Sequence, residues 1–161
     1  MAIQVPAVGD TATAAYADSV ANQLNAARLI GTVSTANTAT STGATEVLHA
    51  NLLLAVTGIV SGTTYMVEMC GRIGSSVATD VTVASVHALQ GIVVIGSPVV
   101  LGAQAVGGSS GGGSDWTWRY PWTPGASGSW NLQVGVKRAL GTGNGTFGGG
   151  VMPAVLSLTA V

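Results

Sequence analysis

The stretch Thr63-Thr-Tyr-Met-Val-Glu-Met-Cys-Gly-Arg-Ile73 carries an apolar residue at nearly every second place. Tyr65, Val67, Met69 and Ile73 fall on one side of an extended chain, and Thr64, Glu68 and Arg72 on the other. A period of two held over that length marks a strand with one buried face. Working outward, strand-like runs recur at 33–40, 45–60, 80–89, 92–95, 99–106, 116–122, 129–140 and 153–161, with a break expected at Ala50-Asn51. Clusters of Gly, Ser and Pro separate them: Ser61-Gly62, Gly74-Ser75-Ser76, Ser97-Pro98, Pro124-Gly125 and two long glycine-rich tracts at 107–114 and 141–150. Many short strands with turn signals at this spacing predict an all-β chain, a β-sandwich of jelly-roll type. The run Leu52-Leu-Leu-Ala-Val56 is apolar on both faces. A sandwich strand normally shows water to one face, so its outer side is expected to be covered by another chain.

Only the first part of the chain breaks this rhythm. Residues 1–9 read as an extended arm, because Pro6 biases Val5 away from the helical region. A single α-helix is predicted over 11–30, capped by Asp10 or Thr11, with Arg28 in its last turn and Gly31 in the C′ place. Ala17, Val20, Leu24 and Ala27 form a narrow seam of mostly small residues. That seam suits packing on the chain's own domain or on a larger scaffold. The expected division is therefore 1–31 as arm and helix, with the sandwich at 32–161.

Composition narrows the function. Charged residues make up 7% of the 161 positions, against roughly 25% in an ordinary soluble domain. Five bases against six acids leave a net charge of -1, too few cations to bind nucleic acid by neutralising phosphates. The apolar content of 47% argues against intrinsic disorder. A surface this poor in charge is expected to be covered by further copies, and we expect a homotrimer. The longest apolar stretch, 92–106, is interrupted by Gly96, Ser97, Pro98, Gly102 and Gln104 and falls short of a membrane span. Met1 is followed by Ala-Ile-Gln-Val-Pro with no basic leader, so synthesis in the cytoplasm is expected.

No motif predicts catalysis, a metal or a cofactor. Gly143-Asn-Gly-Thr-Phe-Gly148 matches G-x-G-x-x-G in letters, but Pro153 and a strand follow where a dinucleotide fingerprint needs a helix. His49 and His87 have no regular spacing to acids or to Cys70, and read as structural; Cys70 reads as an inert buried thiol. The segment Trp116-Thr-Trp-Arg-Tyr-Pro-Trp122 puts Trp116, Trp118, Tyr120 and Trp122 on one face of a strand. Such a stripe either stacks on sugars or fills a core or a subunit interface, and we assign it to the latter together with Trp130.

The stretch Pro6-Ala-Val-Gly-Asp-Thr-Ala-Thr-Ala-Ala-Tyr-Ala-Asp-Ser-Val-Ala-Asn-Gln-Leu24 resembles the N-terminal adaptor of small virion proteins of tailed phages, especially those of actinobacteria. Trp122-Thr-Pro-Gly-Ala-Ser-Gly-Ser-Trp130, Lys137-Arg138, Gly141-Thr-Gly and Pro153-Ala-Val-Leu-Ser-Leu-Thr-Ala-Val161 resemble the closing strands of trimeric TNF/C1q-like jelly rolls of phage heads and tails. The resemblance implies a capsid decoration (cement) protein, or alternatively a tail fibre, spike or baseplate component. It would be made in the bacterial host cytoplasm, reside in the virion, and contact the major capsid protein or a tail protein, with host glycan as a further ligand. Particle anchoring would fall to Ile3, Val5, Pro6 and Val8 of the arm and to Ala17, Val20, Leu24 and Ala27 of the helix.

Overall fold

A computed structural model describes residues 29–90, 99–107, 112–150 and 152–161. They form ten strands: β1 (Leu29–Thr35), β2 (Thr38–Ser41), β3 (Val47–Ile59), β4 (Tyr65–Ser75), β5 (Val81–Gln90), β6 (Val99–Gly107), β7 (Gly112–Trp122), β8 (Gly128–Leu140), β9 (Gly145–Gly148) and β10 (Ala154–Ala160). No helix occurs among the described residues. The predicted helix and arm lie outside them except at Leu29, Ile30 and Gly31. Those three belong to β1, where Leu29 and Gly31 pair with β10 across a bulge at Ile30. Pairing with β10 gives this backbone its hydrogen-bond partners, so it has no need of a last helical turn. Gly31 serves a different purpose from a helix cap: a Cβ there would lie 3.1 Å from Leu54 Cδ1, so glycine lets β1 settle against β3.

Strand β4 organises one sheet. Its whole length pairs with β7 on one edge. The other edge is shared, Tyr65 to Cys70 pairing with β10 and Arg72 to Ser75 with β9. Strand β1 continues the sheet beyond β10, and β2 continues it beyond β9. β1 with β2, and β9 with β10, thus act as two interrupted strands, and the first sheet runs β1/β2, β9/β10, β4, β7. The second runs β3, β8, β5, β6. Counted as eight strands the orders are 1-8-3-6 and 2-7-4-5, two interleaved Greek keys that make a jelly roll.

The core lies between the sheets. From the first come Tyr65, Val67, Met69, Ile73, Phe147, Leu156 and Leu158, and from the second Leu52, Leu54, Val56, Leu132, Val134, Val136 and Val86, all buried. The alternation read in 63–73 is the observed one: Tyr65, Val67, Met69 and Ile73 point inward, while Glu68 and Arg72 are only half-buried. Buried Thr82 ties the layers together by donating its Oγ1 proton to Gly74 O at 2.8 Å. In β3 the pairing with β8 jumps between Leu48 and Leu53, around the break expected at Ala50-Asn51. Beyond it Leu52, Leu54 and Val56 are buried, but Leu53 and Ala55 face solvent.

Candidate functional site

Strand β7 places its aromatic residues along the inner side of one sheet edge. Trp122 is buried between Tyr65 and Trp130, with ring centroids 6.0 Å and 5.1 Å away, the second contact edge-on. Two polar handles of this group are bonded: Tyr65 Oη accepts from Val60 N–H at 2.9 Å and Trp130 Nε1–H donates to Ala126 O at 3.2 Å. Farther along, Trp118 and Tyr120 stack with centroids 5.5 Å apart and planes 4° apart. Trp116 and Trp118 are half-buried against the core, and Tyr120 is 39% exposed. The stripe read in the sequence is therefore graded, core at Trp122 and Trp130 and accessible at Tyr120. The anchoring residues Ile3, Val5, Pro6, Val8, Ala17, Val20, Leu24 and Ala27 lie outside the described residues.

A polar cluster sits on the outer side of the second sheet. His87 Nε2 lies 2.9 Å from Glu46 Oε2 and 2.9 Å from Ser85 Oγ, and the Ser85 hydroxyl donates to Glu46 Oε1. Gly135 makes room for the carboxylate, because a Cβ there would come within 2.5 Å of it. The cluster does not form a hydrolytic triad. A triad holds the imidazole from Nδ1 and keeps Nε2 for the nucleophile; here acid and serine both meet Nε2, while buried Nδ1 has no partner among the described residues. The sequence hides this cluster because Glu46 lies 39 residues from Ser85. The one local signal is Ser85-Val-His87, two polar residues on the same face of a strand.

Burial alone would raise the Glu46 pKa. Hydrogen bonds from Ser85 and His87, with the charges of His87 and Lys137, outweigh burial and hold it below the ordinary glutamate range. A depressed carboxylate stabilises the fold above its unfolded pKa, and that contribution disappears as pH falls through the folded value. The Tm advantage of wild type over Glu46→Gln should therefore be full at pH 7 and shrink steadily below about pH 4.5. Parallel melting curves at a series of pH values check this.

Two further polar centres are structural. Asp80, buried at the start of β5, accepts Thr142 N–H at 3.2 Å, Gly143 N–H at 2.6 Å and the Ser75 hydroxyl at 3.2 Å. The G-x-G-x-x-G letters thus belong to a turn wrapped around a carboxylate and to β9. His49 Nδ1 accepts Asn51 N–H at 3.3 Å, which leaves its Nε2 proton for Asn37 O at 3.1 Å. That histidine stitches the break in β3 to the β1–β2 corner, the structural role read for it. Cys70 differs from expectation. It is half-buried on the outer face of β4, since the inward places of that strand go to Met69 and Gly71. There it lines a shallow cleft with Asp115, Thr117, Met152, Pro153 and Val155.

The charged residues are unevenly distributed. Glu46, Asp80, Lys137 and Arg138 gather at the end of the sandwich where β3 and β5 begin and β8 finishes. Glu68, Arg72, Asp115 and Arg119 lie on the outer face of β4 and β7, where Glu68 pairs with Arg119 and Arg72 stands opposite Asp115 in the register. The described residues contain no other Asp, Glu, Lys or Arg. They contain no grouping of three His, Cys, Asp or Glu able to hold a metal ion.

No protein-family model matches the chain, and no curated protein matches it. Among solved structures it is similar to a carbohydrate binding module from Cellvibrio mixtus lichenase 5A in complex with cellotriose, at 16% identity and a TM-score of 0.40, over 83% of this chain and 98% of that one. It is similar to VP2 of infectious bursal disease virus at 13% identity and 0.42, over 81% of this chain and 32% of that one. It is also similar to the Eiger TNF of S. frugiperda at 11% identity and 0.45, over 83% of this chain and 93% of that one.

Proposed function

We propose that the chain is a non-enzymatic structural protein of a tailed-phage particle, a homotrimeric capsid decoration protein whose segment preceding β1 anchors it to the major capsid protein. The sequence resemblance supports the virion role. The observation that carries the assembly is the outer side of β3. Leu53 is 43% exposed beside exposed Ala55, on a thirteen-residue strand without a single charged side chain. The neighbouring outer positions on β8, Asn131 and Gln133, are uncharged as well. An uncharged face of this kind matches the charge-depleted centre of a subunit interface. A tail fibre, spike or baseplate component would use the same trimer on a different virion partner.

Analytical ultracentrifugation of wild type at micromolar concentration should give a mass near three times the 15.8 kDa of one chain. Leu53→Glu should give a folded protein of monomeric mass, because a carboxylate forced into an apolar interface costs several kcal/mol. A monomeric wild type with native circular dichroism would sink the trimer.

One feature favours glycan binding as an added role. Exposed Tyr120 stacks flat on Trp118, a small aromatic platform at a sheet edge. A glycan array run on wild type and on Tyr120→Ala tests it: signal lost in a variant whose circular dichroism remains native supports sugar binding, and an array blank for wild type removes it.

A further inference from the structure

Strand β7 ends its sheet: among the described residues it pairs with β4 alone. Its inward places go to Trp116, Trp118, Tyr120 and Trp122, and its two charged residues, Asp115 and Arg119, take outward ones. The four rings make a row about 20 Å long, since each residue of a strand advances the chain by roughly 3.4 Å. Polar atoms held this close to a core usually find a partner within the fold. Trp130 does so, giving its indole N–H to Ala126 O. The row on β7 does not. The indole N–H groups of Trp116, Trp118 and Trp122 and the phenol of Tyr120 have no hydrogen-bond partner among the described residues. The three N–H groups are not buried either, because the unpartnered buried side-chain nitrogen among the described residues is His87 Nδ1. Even Trp122, whose ring is 6% exposed, turns its nitrogen to the surface.

The edge therefore offers a defined chemistry. An indole N–H donates and cannot accept, so three of them in line call for acceptor atoms. The rings between them, with Trp118 and Tyr120 parallel at 5.5 Å, call for C–H groups. No charged side chain stands on the inward places of β4 or β7, and Arg119 on the outward face is held by Glu68. A charged ligand thus gains nothing here. Each unit of a neutral saccharide chain carries both hydroxyl and ring oxygens and a C–H face. A peptide added as a further strand would meet Pro121, which has no N–H to give it. We infer that the inward edge of β7, from Trp116 to Trp122, binds a neutral, linear saccharide chain laid along the strand, with the indole N–H groups donating to its oxygens. The inference rests on the glycan reading of the Trp118–Tyr120 platform. It adds the class of sugar, the direction in which the chain runs and the groups that hold it. Each donor exchanges a surface water for a sugar oxygen, and the rings gain contact with C–H faces.

The test is a glycan array printed with neutral oligosaccharides and with uronate-, sialate- and sulfate-bearing ones, each series two to six units long. Full-length protein is applied at graded concentrations. Wild type should bind the neutral series only, and six units should reach half-saturation at least about tenfold below two units. Trp116→Phe/Trp118→Phe keeps both rings and deletes two N–H groups. It should need at least about fivefold more protein, two hydrogen bonds being lost. Either single variant gives the same direction, about two- to tenfold, should the double variant misfold. Arg119→Gln, on the outward face, should bind like wild type. Binding of the double variant within about twofold of wild type overturns the inference, as do signal on the acidic series, equal signal for two and six units, and weakening by Arg119→Gln. A change of sedimenting mass in the double variant also overturns it, because the row then faces a second copy. An array blank for wild type brings down the glycan reading itself, and is thereby distinguishable from the others.

Discussion

Trp122→Ala should cost about 3–5 kcal/mol of stability. The indole is buried to 6% exposure at the point where the two sheets approach, between Tyr65 on its own sheet and Trp130 on the other. Removing it deletes two aromatic contacts and leaves a space that rigid neighbours fill poorly, because Tyr65 is held by Val60 N–H and Trp130 by Ala126 O. Tyr120→Ala, two residues earlier on the same face, should cost about 1 kcal/mol, as most of what it loses is one stacked contact with Trp118. Trp118→Ala should fall between them, since that ring is only half-buried. Denaturant unfolding at one fixed protein concentration checks the order, the fixed concentration being needed because assembly adds to apparent stability. Equal losses at Trp122 and Tyr120 would contradict the graded stripe.

That gradient shows where sequence reading reaches and where it stops. Period two told the two faces of β4 and β7 apart, because side chains alternate regardless of what lies across the sheet. It is blind to how far along the sandwich a residue sits, and so could not separate Trp122 from Tyr120. In β3 the apolar run Leu52-Leu-Leu-Ala-Val56 carries no alternation at all; the register with β8, Leu54 opposite Leu132, decides which side is buried. Strand β9 reads as loop because glycines flank Thr146 and Phe147 within the glycine-rich tract 141–150, and glycine is depleted in strands. It is strand because β4 offers an open edge from Arg72 to Ser75, and glycine is needed there: a Cβ on Gly148 would overlap the backbone at Asn37 and Thr38, where β2 begins. The Glu46–Ser85–His87 cluster depends on a loop lying over Gly135, a tertiary fact with no local trace. The beginning of β1 departs from the helical expectation for a related reason. Leu29 and Ile30 continue a helical spacing as easily as they open a strand, and pairing with β10 settles the choice.

Asp80→Ala should cost about 2–4 kcal/mol, because the carboxylate is buried to 1% exposure and its loss strands the N–H groups of Thr142 and Gly143 and the Ser75 hydroxyl. Asp80→Asn keeps one acceptor oxygen and should lose roughly half as much. The same turn predicts a coupling. Gly141 has φ +100°, and a Cβ on it would overlap the Asp80 carboxylate. In the wild-type background Gly141→Ala therefore meets two obstacles, a left-handed backbone and a collision, and should destabilise by about 2–4 kcal/mol. With Asp80 already replaced by alanine the collision is gone, and only the backbone penalty of about 1 kcal/mol remains. The double variant should accordingly be more stable than the sum of the single losses by at least about 1 kcal/mol, a non-additivity expected of groups in contact and not of distant, independent sites. Strict additivity would mean that Asp80 and Gly141 do not share the space described here, and that the turn at 141–144 is held by Arg138 Nη1–H to Gly143 O at 2.6 Å rather than by the carboxylate.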